Sequence, residues 1–188
     1  MENLINKEIF SDYLENFKLF PIGKGYRLND FKSSISDKEN EYDTFLRDYA
    51  IEYEEKDISK THLLINIKNG DIVSYITLLT GSIKLKQTEI ELHSIPNFAS
   101  YPSLKIAKLA VDNNYKKQYK GIGSTMIELA IGFKEELNNI GVACRFLEVD
   151  ADVENDKDVY KFYEKLGFVK NSKYKEGRTI SMRLEDTK

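Results

Sequence analysis

The chain has 188 residues, enough for one domain with a sizeable core. A composition of 41% hydrophobic, 12% aromatic and 31% charged residues excludes intrinsic disorder. One cysteine, Cys144, excludes an intramolecular disulfide framework, two histidines leave little for a zinc site, and a net charge of −3 lacks the basic excess usual in nucleic-acid binders.

The charge is uneven. Residues 1–100 carry 12 Lys+Arg against 17 Asp+Glu, and residues 101–188 carry 16 against 14. Acidic residues are scattered through MENLINKEIFSDYLENF, unlike a secretory signal. No apolar run reaches the roughly 20 residues of a bilayer crossing. These features predict a cytoplasmic chain with no membrane partner and no bound metal, forming a single domain over 1–188.

In chain order, Ile9, Phe10, Tyr13, Leu14 and Phe17 follow the helical period and predict a helix over about 6–19. PIGKGYRL, 21–28, is an edge strand or a loop; residues 1–30 read as an N-terminal extension. Tyr42, Phe45, Leu46, Tyr49 and Tyr53 form one stripe and predict an amphipathic helix over 39–55. Two apolar, β-branched runs, 61–67 and 72–80, flank Asn69-Gly70 and predict a hairpin. Residues 81–103 are irregular. A strand over 104–112 follows, then the loop NNYKKQYKGIG, a helix from about Ser124 that stops at Gly141, a strand over 144–150, a helix over 157–167, and strand material in FVK and 178–184. The order is that of an α+β domain with a partly antiparallel sheet between helices.

Gly121 and Gly123 stand at the mouth of the long helix. First-turn N–H groups of a helix lack internal acceptors, and glycine lets them approach an anion directly. The pair is therefore either a phosphate cradle, helped by Lys116, Lys117 or Lys120, or simply a tight strand-to-helix turn. A Walker A loop would need Lys-Ser/Thr after its second glycine, where Ser124 follows Gly123 directly. A dinucleotide fingerprint would need Gly or Ala where Met126 stands.

LAVDNNYKKQYKGIGSTMIELAIGF, followed by VYKFYEKLGF, resembles the GNAT superfamily of acetyl-CoA-dependent N-acetyltransferases. Gln118, Gly121 and Gly123 match that family's Gln/Arg-x-x-Gly-x-Gly/Ala loop, and Phe162, Tyr163, Lys165, Gly167 and Phe168 match its later signature. The likeness covers about 70–188 well. It implies a mostly antiparallel splayed sheet flanked by helices, with acetyl-CoA between strands 104–112 and 144–150. It also implies that main-chain groups of Leu109, Ala110 and Val111 pair with the pantetheine arm. N–H groups of Tyr119, Lys120, Gly121, Ile122, Gly123 and Ser124 then hold the pyrophosphate, and Asn155 lies where relatives bind pantetheine.

Acetyl transfer needs a neutral amine, a stabilised oxyanion and a proton for the thiolate. Tyr163 matches the family's general acid; its plain alternative is a packed ring whose hydroxyl caps a carbonyl. Glu148 and Asp150, two apart on one strand, face the same side and are candidate bases, beside ordered water. His62, His93 and Cys144 read as structural.

FLRDYAIEYEEKDISKTHLLI resembles a branch containing toxins that acetylate the amino acid on charged tRNA. The acidic balance favours instead a small-molecule or peptide amine as acceptor and weighs against nucleic acid. A non-catalytic acyl-CoA-binding module is the third reading. A homodimer is compatible with each.

Overall fold

The computed structural model describes residues 8–34, 40–172, 174 and 177–185. The chain opens with β1 (Glu8–Ile9), a 3-10 helix over Phe10–Asn16 and β2 (Phe17–Pro21), where the period predicts one helix; residues 6 and 7 of that helix lie outside the described residues. The difference has a tertiary cause. Phe10 and Phe17 both set their rings edge-on against Tyr119, with centroids 5.8 Å away in each case. From Phe17 onward the backbone joins a ladder instead of a helix. Pro21 ends β2, an edge strand, where its missing N–H is tolerated.

The stripe from Tyr42 forms α1 (Glu41–Thr44), one π-helical segment over Phe45–Tyr49, and α2 (Ala50–Glu55). Position 39 of the expected helix lies outside the described residues, and Asn40 caps the start by accepting the Tyr42 N–H at 2.8 Å. The hairpin strands are β3 (Lys60–Asn66) and β4 (Ile72–Ile83), joined by a turn in which Gly70 has φ +77°. The irregular stretch holds α3 (Gln87–Leu92), which period reasoning misses because its six residues span under two turns. There follow β5 (Tyr101–Val111), α4 (Asn113–Gln118), β6 (Tyr119–Lys120) and α5 (Ile122–Asn139). Last come β7 (Phe146–Asp152), α6 (Val159–Lys165), β8 (Val169–Lys170) and β9 (Thr179–Glu185). α4 falls where a loop is expected, because Asp112 caps it through the Asn114 N–H at 2.9 Å.

Two compact units emerge, and β4, β5 and α5 contribute residues to both. In the first, Met1–Leu78 with Lys108–Leu129, β2, β3 and β4 pair antiparallel in that order, and β1 pairs parallel with β6. Its core gathers Phe31, Phe45, Leu46, Leu63, Tyr75 and Ala110. In the second, Leu79–Ala107 with Ala130–Lys188, β5 pairs parallel with β7 from Ser103↔Phe146 to Ile106↔Val149. There β9 pairs antiparallel with both β7 and β8, and Ile83, Leu85, Ile90, Tyr101 and Phe146 pack together. The class is the expected mixed α+β, mostly antiparallel. Among the described residues no helix is long and apolar enough to cross a membrane.

Candidate active site

In the first unit, β5 ends at Leu109, Ala110 and Val111. The Ala110 carbonyl accepts the Ser74 hydroxyl at 2.7 Å, and the next residue's N–H, from Asp112, reaches the Val73 carbonyl at 2.8 Å. Gln118 closes α4, with its side-chain amide on the Tyr119 hydroxyl at 3.1 Å. Of the N–H groups expected to face an anion, Tyr119–Ser124, that of Tyr119 already has an acceptor: it donates to the Tyr115 carbonyl as the cap of α4. Lys120 pairs with Ile9 in the β1–β6 ladder.

Gly121 has φ +96°, which an L side chain rarely adopts, and a Cβ there would meet nothing within 4 Å. Glycine is required by conformation, and the turn is open. Thr125 makes an i→i−4 bond at the head of α5, from its N–H to the Gly121 carbonyl at 3.0 Å. The N–H groups of Ile122, Gly123 and Ser124 precede it and have no intrahelical acceptor. An 18-residue helix behind them adds the positive end of its dipole. This geometry suits an anion.

In the second unit, α6 carries Tyr163 with only 6% of its surface exposed, between the rings of Phe162 and Phe168 at 5.0 and 5.4 Å. Burial pushes its phenol up to about 12, so the hydroxyl keeps its proton at neutral pH. Among the described residues the Tyr163 hydroxyl bonds to no carbonyl, unlike that of Tyr101, which donates to the Pro96 carbonyl at 2.7 Å.

Glu148 and Asp150, both on β7, differ sharply. Glu148 is buried at 7% exposure, and burial raises its carboxyl above the usual range, against the opposing pull of Lys105 and Ser103. Asp150 is exposed and accepts the Lys105 ammonium at 2.6 Å. Asn155 is turned inward on its own loop: its side-chain amide donates to Asp152 Oδ2 at 2.6 Å and its N–H to Asp152 Oδ1 at 3.2 Å.

His62 is half-buried, and desolvation lowers its imidazole; His93 caps α3 and sits 2.8 Å from Glu185. Cys144 is buried, with its Sγ 3.6 Å from the Phe146 carbonyl. Sequence reasoning missed Gly81, Ser103 and Lys105, which surround Glu148. A Cβ at Gly81 would lie 2.3 Å from Glu148 Oε1 and 2.8 Å from Ser103 Oγ. The one available signal was a glycine inside a strand-forming run, where glycine marks close approach.

A profile of the acetyltransferase (GNAT) family matches residues 28–168. No curated protein matches the chain by sequence. Among solved structures, AtaT complexed with acetyl-methionyl-tRNAfMet is similar at 19% identity and TM-score 0.72, over 90% of this chain and 94% of that one. AtaTR bound with AcCoA is similar at 17% identity and TM-score 0.69, over 91% and 94%. A tyrosine-to-phenylalanine mutant of KacT is similar at 18% identity and TM-score 0.70, over 89% and 95%. The first of these corrects the reading against nucleic acid. A net charge of −3 averages over the whole surface, whereas phosphate contacts depend on where the cations stand.

Proposed function

We propose, on the premise that this chain belongs to the acetyltransferase (GNAT) family and is an N-acetyltransferase, that the amine it acetylates is the α-amine of an aminoacyl-tRNA. The observation that carries this reading is the likeness to AtaT complexed with acetyl-methionyl-tRNAfMet, which extends over nine-tenths of both chains.

The cosubstrate is acetyl-CoA. Its pyrophosphate falls to the N–H groups of Ile122, Gly123 and Ser124, with Gly121 keeping the turn open and Gln118 and Lys120 flanking it. Main-chain groups of Leu109 and Val111 are left for the pantetheine arm. The Ala110 carbonyl is already shared with Ser74, and the Asn155 amide with Asp152, so both hold a lesser part. Acetyl-CoA supplies the thioester whose C–S bond breaks as the new C–N bond forms. Tyr163 gives its proton to the departing sulfur, a role for which a phenol held protonated at neutral pH is suited. Glu148 accepts the proton released by the attacking nitrogen, directly or through water. An α-amine has an ordinary pKa of about 7.7–8.0, so a fraction is neutral near pH 7 and the base acts on the proton set free by attack.

The test is incubation of the protein with acetyl-CoA and a pool of charged tRNAs, followed by mass measurement of the released aminoacyl groups. N-acetylated amino acid from the tRNA pool is the expected product, absent with Tyr163→Phe. Thiol release with free polyamines, aminoglycosides or peptides but none with charged tRNA would overturn the reading.

A further inference from the structure

Glu148 lies between two cations and pairs with neither. Its parallel partner across the ladder is Lys105, and its antiparallel partner is Arg183. Opposed residues on neighbouring strands share a face and stand within side-chain reach. Both cations bond elsewhere, although the buried Nε of Arg183 has no hydrogen-bond partner among the described residues. Lys105 donates to Asp150 Oδ2 at 2.6 Å. Arg183 Nη1 donates to Asn171 Oδ1 at 2.8 Å and stands 3.0 Å from Glu89 Oε1. Among the described residues Tyr174 is the remaining titratable group near Lys105, and it accepts the Lys84 N–H at 3.1 Å. From β4 comes space instead of charge, since any side chain at Gly81 would overlap the Glu148 carboxyl and the Ser103 hydroxyl. Glycine weakens a strand interior, so its presence there calls for a compensating contact, and the carboxyl supplies one.

We infer that Gly81 and the Lys105–Asp150 pair are positioning elements for Glu148: the glycine leaves the space that the carboxyl occupies, and Asp150 draws the Lys105 ammonium onto itself and away from Glu148. The inference rests on the reading of Glu148 as the proton acceptor. A carboxylate in direct ion pair with Lys105 would be a poor base, because the ammonium would hold it ionised and unreactive toward a proton. Asp150 prevents that pairing, and its own negative charge adds to the effect of burial on Glu148. Asp150 is on this account a positioning residue that works through Lys105.

The experiment follows the Glu148 carboxyl by NMR in protein carrying carboxyl-labelled glutamate, with the resonance assigned by its loss in Glu148→Gln. The acid limb of the pH profile for aminoacyl-tRNA acetylation is measured in parallel. Asp150→Asn removes a like charge and frees the ammonium, so the titration moves to lower pH. Lys105→Gln removes the ammonium, so the titration moves to higher pH, and Lys105→Arg returns it toward the wild-type position. Lys105 and Asp150 are 30% and 39% exposed, so these variants keep the fold. Gly81→Ala is expected to displace the titration as well. Shifts that are absent, or of the same sign in Asp150→Asn and Lys105→Gln, overturn the inference, and an unmoved titration in Gly81→Ala overturns the glycine's part. If the titrations shift as expected while the acid limb stays put, the positioning stands and the proton-acceptor reading fails.

Discussion

Two sets of buried polar side chains, one drawn from each unit, differ in how they are partnered. In the first, the buried Tyr75 hydroxyl donates to the Tyr42 carbonyl at 2.8 Å. The Asp43 carboxylate there accepts the Ser33 N–H at 2.9 Å and the Ser33 hydroxyl at 2.6 Å. Asp112 holds the Lys32 and Asn114 N–H groups at 3.1 and 2.9 Å. In the second unit, Tyr163 and Glu148 are as deeply buried, yet among the described residues the phenol bonds to no carbonyl and the carboxylate takes no backbone N–H. Closed polar groups fix the backbone around them; open ones lower stability and retain the capacity to exchange a proton with something brought in from outside. Burial alone does not separate the two kinds. Their partners do.

The tyrosines give the sharpest test of that contrast. Tyr163→Phe is expected to lower kcat by about 10²–10⁴-fold, the range of lost acid–base catalysis, while leaving the thermal midpoint in place. Tyr75→Phe should do the reverse. It removes the hydroxyl's bond to the Tyr42 carbonyl, costing about 0.5–1.5 kcal/mol in a urea titration, with the transfer rate kept. Equal stability losses in the two variants would erase the distinction.

The carboxylates follow with a smaller catalytic effect. Glu148→Gln should cost about 10²-fold in kcat. Its folded-state carboxyl is raised above the ordinary value of 4.5, so its contribution to stability is full below that pH and is lost as pH rises through the raised value. Relative to the wild type, Glu148→Gln therefore gains stability as pH climbs from 4.5 toward neutrality. Asp112→Ala, by contrast, removes a helix cap and should cost about 0.5–2 kcal/mol of stability. Paired denaturation curves at pH 4.5 and 7.5 check both signs.

The same division between local and distant causes decides what could be read from the chain. The Asn69-Gly70 turn, the apolar period of α5 and α6 and the Gly121 turn are local, and each was legible without coordinates. The N-terminal segment was misread because the packing of Phe10 and Phe17 on Tyr119, a hundred positions downstream, outweighs a helical period. α3 escaped notice because it is short and leans on a buried ion pair, Glu89 to Arg183. Around Glu148 the carboxyl itself was visible as a candidate. What distinguishes it from Asp150 comes from β4, β5 and β9, three strands remote in sequence.

The smallest effects separate the two special glycines. At Gly81 the difficulty of adding a methyl group is steric, since its Cβ would fall on the carboxyl; at Gly121 there is room, and the difficulty is the backbone, at φ +96°. Gly121→Ala must either hold a left-handed conformation, at about 1–2 kcal/mol, or let the turn relax. If the turn relaxes, the N–H groups of Ile122, Gly123 and Ser124 lose their common aim, and the Kd for acetyl-CoA should rise about tenfold, equivalent to 1.4 kcal/mol. Gly121→Asp adds a charge of the same sign as the pyrophosphate and should weaken binding further, which calorimetric titration would resolve. A Gly121→Ala protein that melts earlier yet binds acetyl-CoA with unchanged Kd would mean that the glycine serves only to turn the chain from β6 into α5. The anion would then have to be held elsewhere.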